Sequence, residues 1–393
     1  MNRLNMYLLA FGAFLVATAE LVVSGILSVI AADMNISVAL AGQLITAYSL
    51  AYGIGTPIVI ALTSRVARKR MLLISLAVFI IGCSAAFLSS TYAVLLLARA
   101  ILGLSAGVFC VVALSSVAKI VSADKIGRAM GLLAFAFSGA MVLGVPAGIA
   151  IAGEWSWKLI FLLMGIIGLF VLLGLARLLP NIEGDAPAPL RKQFAVLKNT
   201  VIVSAMLLSF FSSAGDSVIY TYLTLYFQKI LHLQAADISM IMLLFGLFGL
   251  IGSRLGGVGI DKWGAVRLLA FALALRTIAL SLLPAVHGSL ILSLLIFTVW
   301  VFGMFVTAPS MNTYFVQLAP QSSNLVLSLN ISFIHLGLAT GAGVGGALAN
   351  ANGTVLYHPW MAGLLTAMGL VMGLISFAMS KRRAAKLTAR SSL

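Results

Sequence analysis

Twelve stretches of about 20 or more apolar residues, parted by short polar or basic segments, leave this chain few ways to fold. In hydrocarbon every backbone N–H and C=O must be paired within its own segment, so such a stretch crosses a bilayer as a helix of about 20 residues. The runs fall at 6–31, 39–63, 71–90, 93–118, 129–152, 158–179, 200–229, 237–260, 266–284, 289–317, 325–349 and 359–380. Hydrophobic residues make up 62% of the chain and charged residues 8%, too little polar surface to clothe a soluble globule. The first run follows Arg3 but is too long for a signal-peptide core, so it reads as the first spanning helix. We expect an all-α integral membrane protein with twelve transmembrane helices.

The net charge of +15 comes from basic residues clustered between the runs. Arg65, Arg68, Lys69 and Arg70 form one cluster; Lys119, Lys125 and Arg128 a second; Arg177, Arg191, Lys192 and Lys198 a third. Lys262 and Arg267 follow, then Lys381, Arg382, Arg383, Lys386 and Arg390. Every second loop is basic and the others are not, which is the positive-inside pattern and not a nucleic-acid surface. Both termini are then cytoplasmic. Residues 180–199 hold three prolines and mixed charge, and read as a cytoplasmic linker between bundles at 1–179 and 200–380; a basic tail occupies 381–393. An internal repeat supports the division. SRVARKR at Ser64 is echoed by DKWGAVR at Asp261, and GVPAG at Gly144 by GAGVGG at Gly341, both at an offset of 197. Equal offsets imply two pseudo-symmetric six-helix bundles, with a substrate site expected where they meet near the midplane.

Charges inside the runs need reasons, since each costs several kcal/mol at the bilayer centre. Glu20 lies mid-way along the first run; either it is held neutral or it faces an aqueous cavity and exchanges protons. Shifted by 197, it lands beside Asp216 in FFSSAGDSVIY, with Tyr220 one helical turn on. Tyr48, Tyr52 and Trp300 offer rings that either stack on a planar ligand or pack in the core, and Asn330 and His335 offer polar contacts in a glycine-rich run. Arg276 lies mid-span in the ninth run with no role assigned. Cys83 and Cys110 fall inside apolar runs and read as packing residues; no disulfide framework, metal-ligand spacing or nucleotide loop is present, and no cofactor is expected.

Three motifs resemble the major facilitator superfamily, in its twelve-helix drug:proton antiporter branch, with a texture similar to bacterial purine, nucleoside and sugar efflux permeases. ALTSRVARKR resembles that family's loop between helices 2 and 3 in Arg65, Arg68 and Arg70, but Ser64 replaces an aspartate and Ala67 a glycine. The second copy, GVGIDKWGAVR, keeps Asp261, Gly264 and Arg267. LLLARAILGLSAG resembles the helix-4 pattern in Arg99 and Gly103. FSGAMVLGVPAG, with Gly139, Gly144, Pro146 and Gly148, resembles the helix-5 motif of exporters.

The resemblance implies the major facilitator fold and a proton-coupled efflux transporter of the bacterial inner membrane, working by alternating access. Glu20, Asp216 and Arg99 would couple protons, and the loop and helix-5 motifs would govern conformational change. The partners implied are protons, a small-molecule substrate and the lipid bilayer, with the chain acting as a monomer. A membrane-embedded enzyme would need clustered catalytic groups, and the acidic residues and histidines here are scattered. Proton-coupled uptake is the alternative, against which only the helix-5 motif argues.

Overall fold

The computed structural model describes residues 3–120, 126–184 and 196–391. Among the described residues the regular structure is helical throughout, and twelve helices are long and apolar enough to cross a membrane. We number these spans α1 (Leu4–Gly25), α2 (Val38–Leu62), α3 (Arg68–Phe87), α4 (Tyr92–Val117), α5 (Gly131–Glu154) and α6 (Trp157–Leu178). The series continues with α7 (Thr200–Lys229), α8 (Ala235–Trp263), α9 (Ala265–Val286), α10 (Leu290–Leu318), α11 (Leu325–Asn352) and α12 (His358–Arg383). The all-α, twelve-span expectation holds. Lys125, Arg191, Lys192, the middle of the 180–199 linker and the last two residues of the 381–393 tail lie outside the described residues.

Lipid as solvent explains both surfaces of these helices. Leu62, Phe170 and Ile291 are 78%, 68% and 72% exposed, a disposition that water would penalise and acyl chains accept. Many hydroxyls instead turn back onto their own helix. Thr18 donates to the Phe14 carbonyl (2.8 Å), Ser75 to Leu72 (2.9 Å) and Ser310 to Val306 (2.9 Å), so none of these is left unpaired in hydrocarbon.

Among the described residues two spans contain a π-turn, Ala51–Gly55 in α2 and Ala140–Gly144 in α5. Each lies just before a proline, Pro57 and Pro146. Proline lacks the N–H and its ring crowds the carbonyl four residues back, so the ladder adapts by taking in one extra residue. In α5 the Val145 N–H accordingly donates to the Ala140 carbonyl, five residues back. The span α7 is also interrupted, its helices running Thr200–Tyr220 and Leu223–Lys229.

The chain divides into two units. The first comprises Met1–Ala188, Tyr220–Leu247 and Ala342–Val355; the second comprises Pro189–Ile219, Phe248–Gly341 and Leu356–Leu393. In the first, α1 packs against α4, α5 and α6, α2 against α4, and α3 against α4 and α6. In the second, α9 packs on α10 and α12, over a core that includes Met206, Leu208, Leu269, Leu273, Phe315 and Val326.

Candidate functional site

In the first unit the polar centre forms where α1, α2 and α4 meet. Arg99 of α4 is fully buried. Its Nη1 donates to the Ala19 carbonyl (2.6 Å) and its Nε to the Leu44 carbonyl (3.3 Å), and the guanidinium stands 4.4 Å over the Tyr48 ring. Arg99 thus binds the backbone one residue before Glu20 and lies within electrostatic reach of the Glu20 carboxylate. The Tyr48 hydroxyl donates to the Val16 carbonyl, one turn before Glu20 (3.4 Å). Tyr52, its ring 6.3 Å from that of Tyr48, pairs with the Cys110 thiol, and Tyr220 is directed at Ser24. Glu20 itself is half-buried.

Glycines let these helices meet. A Cβ on Gly103 would overlap the Tyr48 carbonyl, and one on Gly107 the Thr56 hydroxyl, so the small face of α4 admits the α2 backbone in direct contact. On the other side of α1, a Cβ on Gly144 would stand 2.6 Å from Thr18 Oγ1, and one on Gly148 would overlap Val22. Those two α5 glycines therefore grip α1 two residues either side of Glu20. Gly139 is looser, its nearest neighbour Phe14 at 3.6 Å. Pro146 is buried between the glycines and ends the π-turn.

The second unit has its own charged centre. Asp216 Oδ1 accepts from Arg276 Nη2 and from Trp300 Nε1 (3.2 Å), while Arg276 Nη1 donates to Ser212 (2.9 Å) and Thr307 (3.3 Å). Arg276, left without a role by the sequence pattern, is fully enclosed. It stands in register with the buried stripe Leu269, Leu273, Leu280 and Leu283 of α9, opposite the exposed Phe271 and Ile278. Gly303 makes room, since its Cβ would lie 2.6 Å from Arg276 Cγ. Periodicity could not find this partner, because a helix apolar all round shows no inner face.

The two basic loops differ in backbone as well as sequence. Gly264 caps the start of α9 at φ +80°, a conformation that favours glycine, whereas Ala67, at the equivalent position before α3, takes φ −53°. Where Ser64 replaces the aspartate, backbone carbonyls hold the loop instead. The Ile182 carbonyl accepts from the Arg68 N–H (2.8 Å), and the Glu183 and Gly184 carbonyls accept from Lys119 Nζ (3.0 and 3.2 Å). Arg68 is buried, Arg65 and Arg70 are exposed, and Asp261, Gly264 and Arg267 are all exposed.

Among the proposed ligand contacts, Tyr48, Tyr52 and Trp300 are buried and already engaged by Arg99, Cys110 and Asp216, so stacking on a ligand would require displacing those partners. Asn330 and His335 are buried in α11, and Asn330 Oδ1 has no hydrogen-bond partner among the described residues. Cys83 and Cys110 are buried free thiols.

The fold defines a polytopic, all-helical membrane protein with charges enclosed at mid-span. The chain belongs to the Major Facilitator Superfamily, whose sequence model matches residues 9–324 and 205–392. It is 35% identical over 385 residues to the uncharacterized MFS-type transporter YbcL of Bacillus subtilis, covering 98% of each chain. It is 28% identical to the inner membrane transport protein YdhP of Escherichia coli K12, covering 94% of each. A solved D-xylose-proton symporter shares the fold at a TM-score of 0.78 and 18% identity, over 94% of this chain and 96% of that one. The chain is therefore a transporter and not an enzyme.

Proposed function

We propose that this transporter exports a small molecule across a bacterial inner membrane in exchange for protons. The observation that carries the reading is Glu20, a half-buried mid-span acid beside buried Arg99 and bordered by tyrosines. Glu20 and Asp216 are the carboxylates available to take up protons, with Arg99 as the charge that responds. Substrate binding favours the deprotonated state and protonation favours release, so the two compete and exchange follows. A gradient of one pH unit supplies about 1.4 kcal/mol per proton. A potential of 100 mV adds about 2.3 kcal/mol per net charge.

The outward direction is supported by the α5 grip on α1, in which Gly144 and Gly148 meet Thr18 and Val22 around Glu20. The six-helix bundles 1–179 and 200–380 would alternate access, and both termini would be cytoplasmic, in keeping with the basic loops. The relative named an inner membrane transport protein supports the location. A purine base, nucleoside, sugar or lipophilic drug suits a site that offers the Glu20 carboxylate and the tyrosines around it, through hydrogen bonds, stacking or charge.

Proteoliposomes carrying an imposed pH gradient, screened with purine bases, nucleosides, pentoses and cationic dyes, test this. Proton flux opposite to substrate flux, lost in Glu20→Gln, supports antiport. Flux of both in one direction turns the reading to uptake, and transport with no proton movement ends it.

A further inference from the structure

The two mid-span acids stand in different company. Around Asp216, α9 contributes Arg276, α10 contributes Trp300 and Thr307, and α7 contributes Ser212; Arg276 is the charged group that meets it. Around Glu20 stand Arg99, Tyr48, Tyr52, Tyr220 and Cys110. The arginines are anchored differently. Arg99 donates to two backbone carbonyls and covers a tyrosine ring. Arg276 donates to two hydroxyls and directly to Asp216, so protonating Asp216 would remove the charge-assisted contact that holds this buried cation.

We infer that Asp216 and Arg276 form a standing ion pair, Asp216 staying ionised throughout the transport cycle, so that Glu20 alone of the two carries the proton. Arg276 is then a positioning residue, tying α7 to α9 and α10 while its charge is cancelled in place. The assignment to Glu20 rests on the proton-exchange reading; the standing pair does not.

Infrared difference spectroscopy of the full-length protein in proteoliposomes, titrated with acid, reads the protonated carboxyl band directly. The band should vanish in Glu20→Gln, which leaves the pair intact, and survive in Asp216→Asn. Transport should fall more than about tenfold in Asp216→Asn or Arg276→Gln alone, each of which leaves one charge uncancelled. It should recover to within about threefold of wild type in the double variant, with its pH-gradient dependence kept, a mutual rescue that simple packing would not produce. A band that survives Glu20→Gln and vanishes in Asp216→Asn overturns the inference, as does a double variant that transports without moving protons. If the band follows Glu20 while wild-type transport ignores the pH gradient, the pair stands and the antiport reading fails.

Discussion

Gly103 and Gly257 are both glycines within spans, yet a Cβ would overlap the Tyr48 backbone at the first and meet nothing within 4 Å at the second. Gly103→Ala should therefore destabilise by about 1–3 kcal/mol through overpacking. Gly257→Ala should be neutral or stabilise by up to about 1 kcal/mol through helix propensity. Thermal unfolding of the two in one detergent checks the contrast. Arg99→Lys should behave as a loss of function despite keeping the charge, because an ammonium cannot span the Ala19 and Leu44 carbonyls as the guanidinium fork does. Substrate-dependent proton release, at least about tenfold weaker than wild type, is the expected reading. At this scale the sequence was informative wherever a charge broke an apolar run: Glu20, Arg99 and Asp216 were all visible that way. Arg276 was equally visible, but its partner was not, since lipid and protein both accept leucine and the two faces of α9 look alike in sequence.

The helices themselves were legible, because span length is set by bilayer thickness. Departures from regular helix were less so. Pro57 and Pro146 mark where the ladder must adapt, but whether it kinks or takes in a residue depends on the neighbours, Thr56 beneath Gly107 and Thr18 beneath Gly144 among them. Pro146→Ala restores a donor and should raise stability, by up to about 3 kcal/mol, while slowing transport, if the π-turn is a working hinge. Unfolding temperature and initial transport rate measured on one preparation decide it. The hold on the 64–70 loop could not be read at all, because carbonyls carry no sequence signal. Gly184 lies so close to the Ser64 carbonyl that a Cβ would stand 2.6 Å away. Gly184→Val should release the segment, and faster tryptic cleavage after Arg65 and Arg70 than in wild type is the outcome to look for.

For the molecule as a whole, the twelve runs and the basic loops pointed to a twelve-span membrane protein, and the motifs at Arg68, Arg99 and Gly144 resembled the family to which the chain belongs. Sidedness is open to a direct test, since Cys83 and Cys110 are buried and make a quiet background for labelling. With both termini cytoplasmic, Asn35→Cys should react with an impermeant thiol reagent from outside intact cells, and Ser64→Cys only in inverted vesicles. The π-turns at Ala51–Gly55 and Ala140–Gly144 also disturb how such labelling should be interpreted. Each takes in the equivalent of one residue, about 100° of rotation, so the two ends of α2 and of α5 are out of phase like a grating with a dislocated line. In α2 the exposed positions pass from Leu40 and Leu50 before the turn to Ile58 and Leu62 after it, the spacing slipped across the turn. Reactivity plotted along either span should then form two wave trains of about 3.6 residues that superpose only after one is slipped by a single position.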